Sequence, residues 1–340
     1  MFLLARAPYA GAVDKAAILS AKPPRQLSAF GFFDDLAAQH PAAGVLAFAP
    51  ASMLFSDHAR KLRFAFVPPG ASAAYDAREA FAFPVGSALI KTFYYPARAG
   101  EGEAGRRLIE TRLLLRQEKG WNAWAYIWRE DGSDADLNIA GAKLPLEIEV
   151  PGGRSVAFDY AVPNKNQCKG CHEVAGAITP IGPRAAHLNH VFDYGGGEAA
   201  NQLQRWTELG MLDGAPPIQQ APSLPDFRDK SAPLDARARA WLDINCAHCH
   251  RAEGPASNTG LYLTWHEADA RKLGVGKRPV AAGRGAGDNL FVLVPGRPEE
   301  SILFTRMDST EPGVMMPELG RRLADQEAVA LIGAWIESLR

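Results

Sequence analysis

Cysteine is scarce in this chain. Among 340 residues there are four, and all four stand in two Cys-x-x-Cys pairs, Cys168/Cys171 and Cys246/Cys249. None is left over for a long-range disulfide, so a disulfide framework is excluded as the source of stability. Long apolar runs are also missing. No stretch of about eighteen apolar residues exists, so nothing reads as a transmembrane helix. Charge of one sign is not in excess, with 37 Lys and Arg against 38 Asp and Glu. A net charge of −1 leaves no electrostatic footprint for nucleic acid or an anionic membrane surface. Met1-Phe2-Leu3-Leu4-Ala5 is too short for the apolar region of a signal peptide.

The remaining composition, 47% hydrophobic and 22% charged, is that of a globular protein. The length suggests two or three domains with their own cores. Residues 1–30 read as an irregular lead-in with Pro8, Pro23 and Pro24. Strand signals then dominate. Arg63–Val67 ends at Pro68-Pro69-Gly70, Ala88–Tyr95 is aromatic and β-branched, and Leu108–Leu115 and Trp121–Trp128 flank a Glu118-Lys119-Gly120 turn. Leu144, Leu146, Ile148 and Val150 alternate, as do Val156, Phe158, Tyr160 and Val162 beyond Pro151-Gly152-Gly153, which is the period of half-buried strands. The aromatics of these strands read as sheet core.

A β-rich unit over 31–215 therefore ends in the segment with the first cysteine pair, with a helix expected around Glu198–Leu209. Five prolines between Pro216 and Pro233 mark 216–233 as a stiff linker or wrapping segment. From 234 to 340 the signals are helical. Leu234, Ala238, Trp241 and Leu242 run into Cys246, and Ala328, Leu331, Ile332, Trp335, Ile336 and Leu339 form a closing stripe. The expected fold class is α+β, a β-rich N-terminal domain followed by an all-α domain.

Each cysteine pair is followed directly by histidine, giving Cys168-Lys169-Gly170-Cys171-His172 and Cys246-Ala247-His248-Cys249-His250. In such a motif two thiols one helical turn apart can add across the two vinyl groups of a porphyrin. The histidine that follows then lies under the iron as proximal ligand. A four-thiolate zinc site would use the same cysteines, but its pairs are usually joined by short loops, and here more than seventy residues intervene. A redox dithiol needs only one pair and leaves the histidines unexplained. Two covalently bound haem c groups are the expected cofactors. Their attachment normally takes place outside the cytoplasmic membrane, so a periplasmic or extracellular location is expected, with a leader removed or left out.

The order of a helix, Cys-x-x-Cys-His, loops, Met-Pro and a C-terminal helix resembles the class I cytochrome c fold. The resemblance implies that Met316, before Pro317, closes the sixth position of the second iron, with Met315 as second choice; core packing is the alternative for both. Candidates for the sixth ligand of the first iron are His187, His190 and Met211, in competition with an open position. Longer stretches resemble an uncharacterised family of bacterial diheme c-type cytochromes. They include Leu54-Phe55-Ser56-Asp57, Phe83-Pro84-Val85-Gly86, Ile90-Lys91-Thr92-Phe93, Val162-Pro163-Asn164-Lys165-Asn166-Gln167 before the first motif, Asp243-Ile244-Asn245 before the second, and Met316-Pro317-Glu318-Leu319-Gly320-Arg321. A sheet with Phe-Pro-x-Gly, a following Lys-x-Phe and a terminal Cys-x-x-Cys-His also resembles the cytochrome P460 and c′-β group. That implies a first haem packed against the sheet with Lys91 nearby.

These resemblances imply electron transfer between periplasmic redox partners: a dehydrogenase, another cytochrome or a terminal oxidase. The alternative is a diheme enzyme or gas-binding protein, peroxidase-like or P460-like, whose open first haem is fed by the second. A redox or gas sensor ranks third, because no output module is visible.

Overall fold

The computed structural model describes residues 12–97 and 105–340. Its largest element is a six-stranded antiparallel meander of β1 (Val45–Ala47), β2 (Arg60–Phe66), β3 (Ala88–Tyr95), β4 (Arg107–Gln117), β5 (Gly120–Trp128) and β6 (Ala135–Asn138), each paired with the next. The Glu118-Lys119 turn sets Gln117 opposite Gly120, where a φ of 133° is open to glycine and strained for a residue with a Cβ.

Side chains alternate across the pleat, so register decides what each face carries. On one face Phe64, Ile90, Leu113 and Trp124 lie opposite one another across four strands. They pack with Tyr126 and Trp128 against Ile18 of α1 (Lys15–Leu19) and against Leu27, Phe30 and Phe32. Residues 12–30 are thus an ordered cover over the sheet. Each large apolar side chain so buried contributes roughly 1.5–3 kcal/mol.

The opposite face is divided. At one end Ala65, Leu89 and Leu114 meet a cluster around the fully buried Trp206, with Phe48, Phe81 and Phe83. At the other end Phe93, Ala125 and Ile127 are covered by the hairpin of β7 (Ala142–Val150) and β8 (Arg154–Val162). Between the two, Arg63, Lys91 and Arg112 stand in line across β2, β3 and β4.

Beyond β8 come α2 (Lys165–His172), α3 (Ala185–Leu188) and α4 (Gln202–Glu208), with short two-stranded pairs between them. Residues 216–233 wrap rather than swing free: Leu224 N–H bonds the Ala186 carbonyl, and Ser52 Oγ bonds the Pro225 carbonyl. Then follow α5 (Leu234–Asn245), α6 (Ile302–Asp308) and α7 (Gln326–Ser338), whose Trp241, Leu242, Ile332, Trp335 and Ile336 form one core.

The expectation of a β domain followed by an all-α domain is overturned. The chain is β-rich, 27% strand and 21% helical with antiparallel sheets, and its helices are not gathered into a separate second unit. Among the described residues four of the seven helices precede residue 234. Between α5 and α6 the chain runs in turns, two short 3-10 segments and two parallel bridges, Val275 to Leu293 and Phe291 to Ser301. The reason lies in glycine and proline: Gly254, Pro255, Gly260, Gly274, Gly276, Pro279, Gly283, Gly285, Gly287, Pro295 and Gly296 cannot sustain a helix. The halves also interlock. Phe55 N–H bonds Asn245 Oδ1 at 2.8 Å, and the Asp57 carboxylate accepts Arg322 N–H at 2.6 Å and Leu323 N–H at 2.7 Å.

Candidate functional site

The first motif lies on α2, and the residues before it explain why a helix starts there. Asn164 Oδ1 accepts the Gln167 N–H and Gln167 Oε1 accepts the Asn164 N–H, both at 2.9 Å. This reciprocal box satisfies two backbone donors that a helix start leaves open. Cys168 and Cys171 follow within the helix, and His172 ends it. The His172 Nδ1 lies 3.1 Å from the Thr179 carbonyl, which can only accept. Nδ1 therefore carries the proton, and Nε2 is left free to bind a metal. Burial, reinforced by nearby Lys91, lowers the ring to about 4, so it stays neutral as a ligand must be.

The second motif continues from the C-terminal end of α5: Cys246 N–H and Ala247 N–H both bond the Leu242 carbonyl, and His250 N–H bonds the Cys246 carbonyl at 2.9 Å. Burial lowers His250 as well, to about 4. The two motifs touch. The Cys249 thiol donates to the Gly170 carbonyl at 3.6 Å, and the Cys171 thiol lies within hydrogen-bonding reach of Cys249 and His248. These neighbours favour the Cys171 thiolate and correspondingly push the Cys249 thiol up.

Each motif opens on its own cavity. The first, about 260 Å³, lies between the charged strip of the sheet and Cys168, Cys171 and His172. The second, about 360 Å³, is lined by Cys246, Cys249, His250 and Met316. The second falls in the size range of cofactor sites and the first just below it, and both are far larger than a water-sized void. They share a wall formed by Cys171, Asn245, His248, Pro317, Glu318 and Leu319.

Charge in the first cavity is unbalanced. Glu110, fully buried, pairs with Arg112 and accepts the Tyr160 hydroxyl at 2.6 Å. Arg63 and Lys91 have no carboxylate within salt-bridge distance among the described residues, and like charges directly opposite in a sheet repel. Burial lowers Arg63 to about 10 and, with Arg112 and Arg63 beside it, Lys91 to about 7. A group that brings two carboxylates into this cavity, as a haem does, would balance these two cations. The donor set therefore fits haem: two thiols, a neutral imidazole with its outer nitrogen anchored, an apolar cavity and a cationic strip.

The remaining predicted residues separate clearly. Met316 lines the second cavity, whereas Met315 is buried away from its lining, and Met307 packs in the α5–α7 core. Arg321 holds the Met316 loop by donating to the Met316, Arg306, Ser309 and Leu323 carbonyls. His187 lines the first cavity and is 3% exposed. His190 does not reach it, because Nδ1 faces the Val191 carbonyl and Nε2 faces the Ala49 carbonyl and the Gln202 amide. Met211 packs in the Trp206 cluster, outside the cavity lining.

Sequence reasoning did not single out Arg63, Arg112, Arg184, Asp243 or Arg321. The period-two pattern could have shown that Arg63, Lys91 and Arg112 share a sheet face. Nothing local marks Arg184 and Asp243, which meet only in the fold.

Among the described residues no group of three or more His, Cys, Asp and Glu side chains is placed to hold a metal ion. No described helix is long and apolar enough to cross a membrane. Comparison with protein-family models, with curated proteins and with solved structures finds no match to this chain.

Proposed function

We propose that the chain is a diheme c-type cytochrome that transfers electrons between redox proteins outside the cytoplasmic membrane, with one haem c at each Cys-x-x-Cys-His motif. The observation that carries this reading is the abutment of the two motifs on two cavities with a common wall. Haem supplies one-electron chemistry at iron when bound. The chain's residues do the rest. Cys168 and Cys171, and Cys246 and Cys249, are the attachment thiols. His172, through Nε2, and His250 would hold the iron, each ring kept neutral by burial. Met316, which lines the second cavity and whose carbonyl Arg321 holds, would supply a thioether to a haem bound there, and a thioether favours the reduced state. Arg63 and Lys91 offset the two carboxylates at the first site. No acid–base step is required of the chain.

Partners of the expected kind are a dehydrogenase, another cytochrome or a terminal oxidase. Encounters of this kind bury little surface, so no large apolar patch is needed.

The test is production in a host that matures c-type haem, followed by intact-mass measurement. The expected result is two haem additions on the wild type, and one each on Cys168→Ser/Cys171→Ser and Cys246→Ser/Cys249→Ser. A wild-type chain that leaves such a host with its thiols free overturns the reading.

A further inference from the structure

The ring of His187 is held from one side only. Nε2 lies 2.8 Å from Asp243 Oδ2, while Nδ1 is buried with no hydrogen-bond partner. A buried ring nitrogen left unpaired is destabilising, so such a nitrogen is expected to have a use. His187 and His172 both line the first cavity, and of the histidines there only His187 and His248 have a buried ring nitrogen with no hydrogen-bond partner. His248 sits beside the Cys171 thiol, which places it at the attachment edge.

The partner of His187 is itself fixed. Asp243 pairs with Arg184, which is 7% exposed, and accepts the Trp265 N–H at 2.9 Å. Burial alone would raise this carboxyl, but Arg184 and His187 hold it well below the usual range. A carboxylate behind one ring nitrogen and a free nitrogen on the other side is the arrangement of metal-bound histidines, where the carboxylate fixes the tautomer and makes the ligating nitrogen more basic.

We propose that His187 is the second axial ligand of the first iron, through its free ring nitrogen, and that Asp243 is its positioning residue. This rests on the reading of the chain as a diheme cytochrome and specifies its first site. A strongly basic imidazole pair stabilises the oxidised iron, whereas a thioether stabilises the reduced one, so the first centre has the lower potential of the two. Asp243 stands on α5 three residues before Cys246, so the element that presents the second motif also sets the tautomer at the first.

The test uses the mature two-haem protein. The reduced wild type is expected to be low-spin at both haems and to take up no carbon monoxide. His187→Ala should bind one carbon monoxide per two haems, and added imidazole should restore the low-spin spectrum. Should His187→Ala fail to fold, His187→Met keeps a ligand and should stay low-spin with a raised first-centre potential. Asp243→Asn should remain low-spin and raise the potential of the first centre alone. His248→Ala should leave the spin state of both haems unchanged. The proposal falls if the wild-type first haem is high-spin and binds carbon monoxide, which would move His187 to the acid–base place of an open, ligand-binding haem. It also falls if His187→Ala changes nothing, or if His248→Ala causes the spin change instead. A protein without attached haem would overturn the parent reading rather than this one.

Discussion

Among the described residues Glu110 is the one carboxylate paired with the cationic strip of the sheet, and its removal tests whether that strip is held as described. Oε2 accepts Arg112 Nε at 3.0 Å, Oε1 accepts Arg112 Nη2, and Oε1 also accepts Tyr160 Oη at 2.6 Å, which ties β4 to the β7–β8 hairpin. Glu110→Gln keeps the shape and removes the charge. It leaves Arg112 beside Lys91 and Arg63 with no anion from the chain. Breaking a buried ion pair from one side costs about 3–5 kcal/mol. Arg112 retains 26% side-chain exposure, so solvent screening reduces that figure to about 2–3 kcal/mol. Tyr160→Phe removes a single hydrogen bond and should cost about 1–2 kcal/mol. Glu110→Gln with Arg112→Met removes both charges together and should recover more than half of the single-variant loss. Urea unfolding of the four proteins, with midpoints multiplied by a common slope, measures all of this. A Glu110→Gln variant within 0.5 kcal/mol of wild type, a threshold set by the typical scatter of surface substitutions, would refute the argument.

Three further outcomes are expected. A Cβ at Gly254 would collide with the Cys249 carbonyl, so Gly254→Ala should cost about 1–3 kcal/mol and lower the yield of chains carrying the second haem, read by intact mass. If the second motif carries haem as proposed, Arg321→Met, which frees the carbonyls that frame Met316, should let carbon monoxide bind there in the reduced protein; an unchanged spectrum would remove Arg321 from that role. Burial raises the Asp57 carboxyl above its ordinary 3.8 in spite of the two N–H groups it accepts, so its contribution is greatest below that pH and is lost as pH rises through the folded value. Asp57→Asn keeps the acceptor, suits the φ of 51°, and should unfold at higher urea than wild type near neutral pH, with the advantage vanishing towards pH 3. An Asp57→Asn advantage that grows on acidification would contradict this.

Much of the sheet was legible because its signal is local. The 88–95, 107–117 and 120–128 strands and the 142–162 hairpin follow from period-two alternation and turn residues. The helix that ends at the second motif and the C-terminal helix follow from period 3.6. The division into a β half and an all-α half was not correct, and the failure has a physical cause. Two amphipathic helices stand out at either end of 234–340, but the Gly- and Pro-dense stretch between them, which carries no periodic signal, makes up the bulk of that region. Composition also gives no view of the bonds from Phe55 and Asp57 into the C-terminal half, since these partners are 190 or more residues apart.

The site divides in the same way. Cysteine and histidine spacing is covalent chemistry written over five residues, so the two motifs stand out without a fold. An axial ligand opposite such a motif has no fixed spacing. His187, His190 and Met211 were therefore indistinguishable as sequence, and what separates them is whether each polar atom is already satisfied. Both His190 nitrogens face acceptors or amides within the chain, and the Met211 thioether packs among aromatics. Only His187 combines a buried free nitrogen with a carboxylate behind the other. That carboxylate belongs to Asp243, which in sequence stands three residues before the second cysteine pair. The assignment of the first site's ligand thus depends on a contact between residues 56 positions apart, made possible because Arg184 offsets the charge that Asp243 brings into the interior.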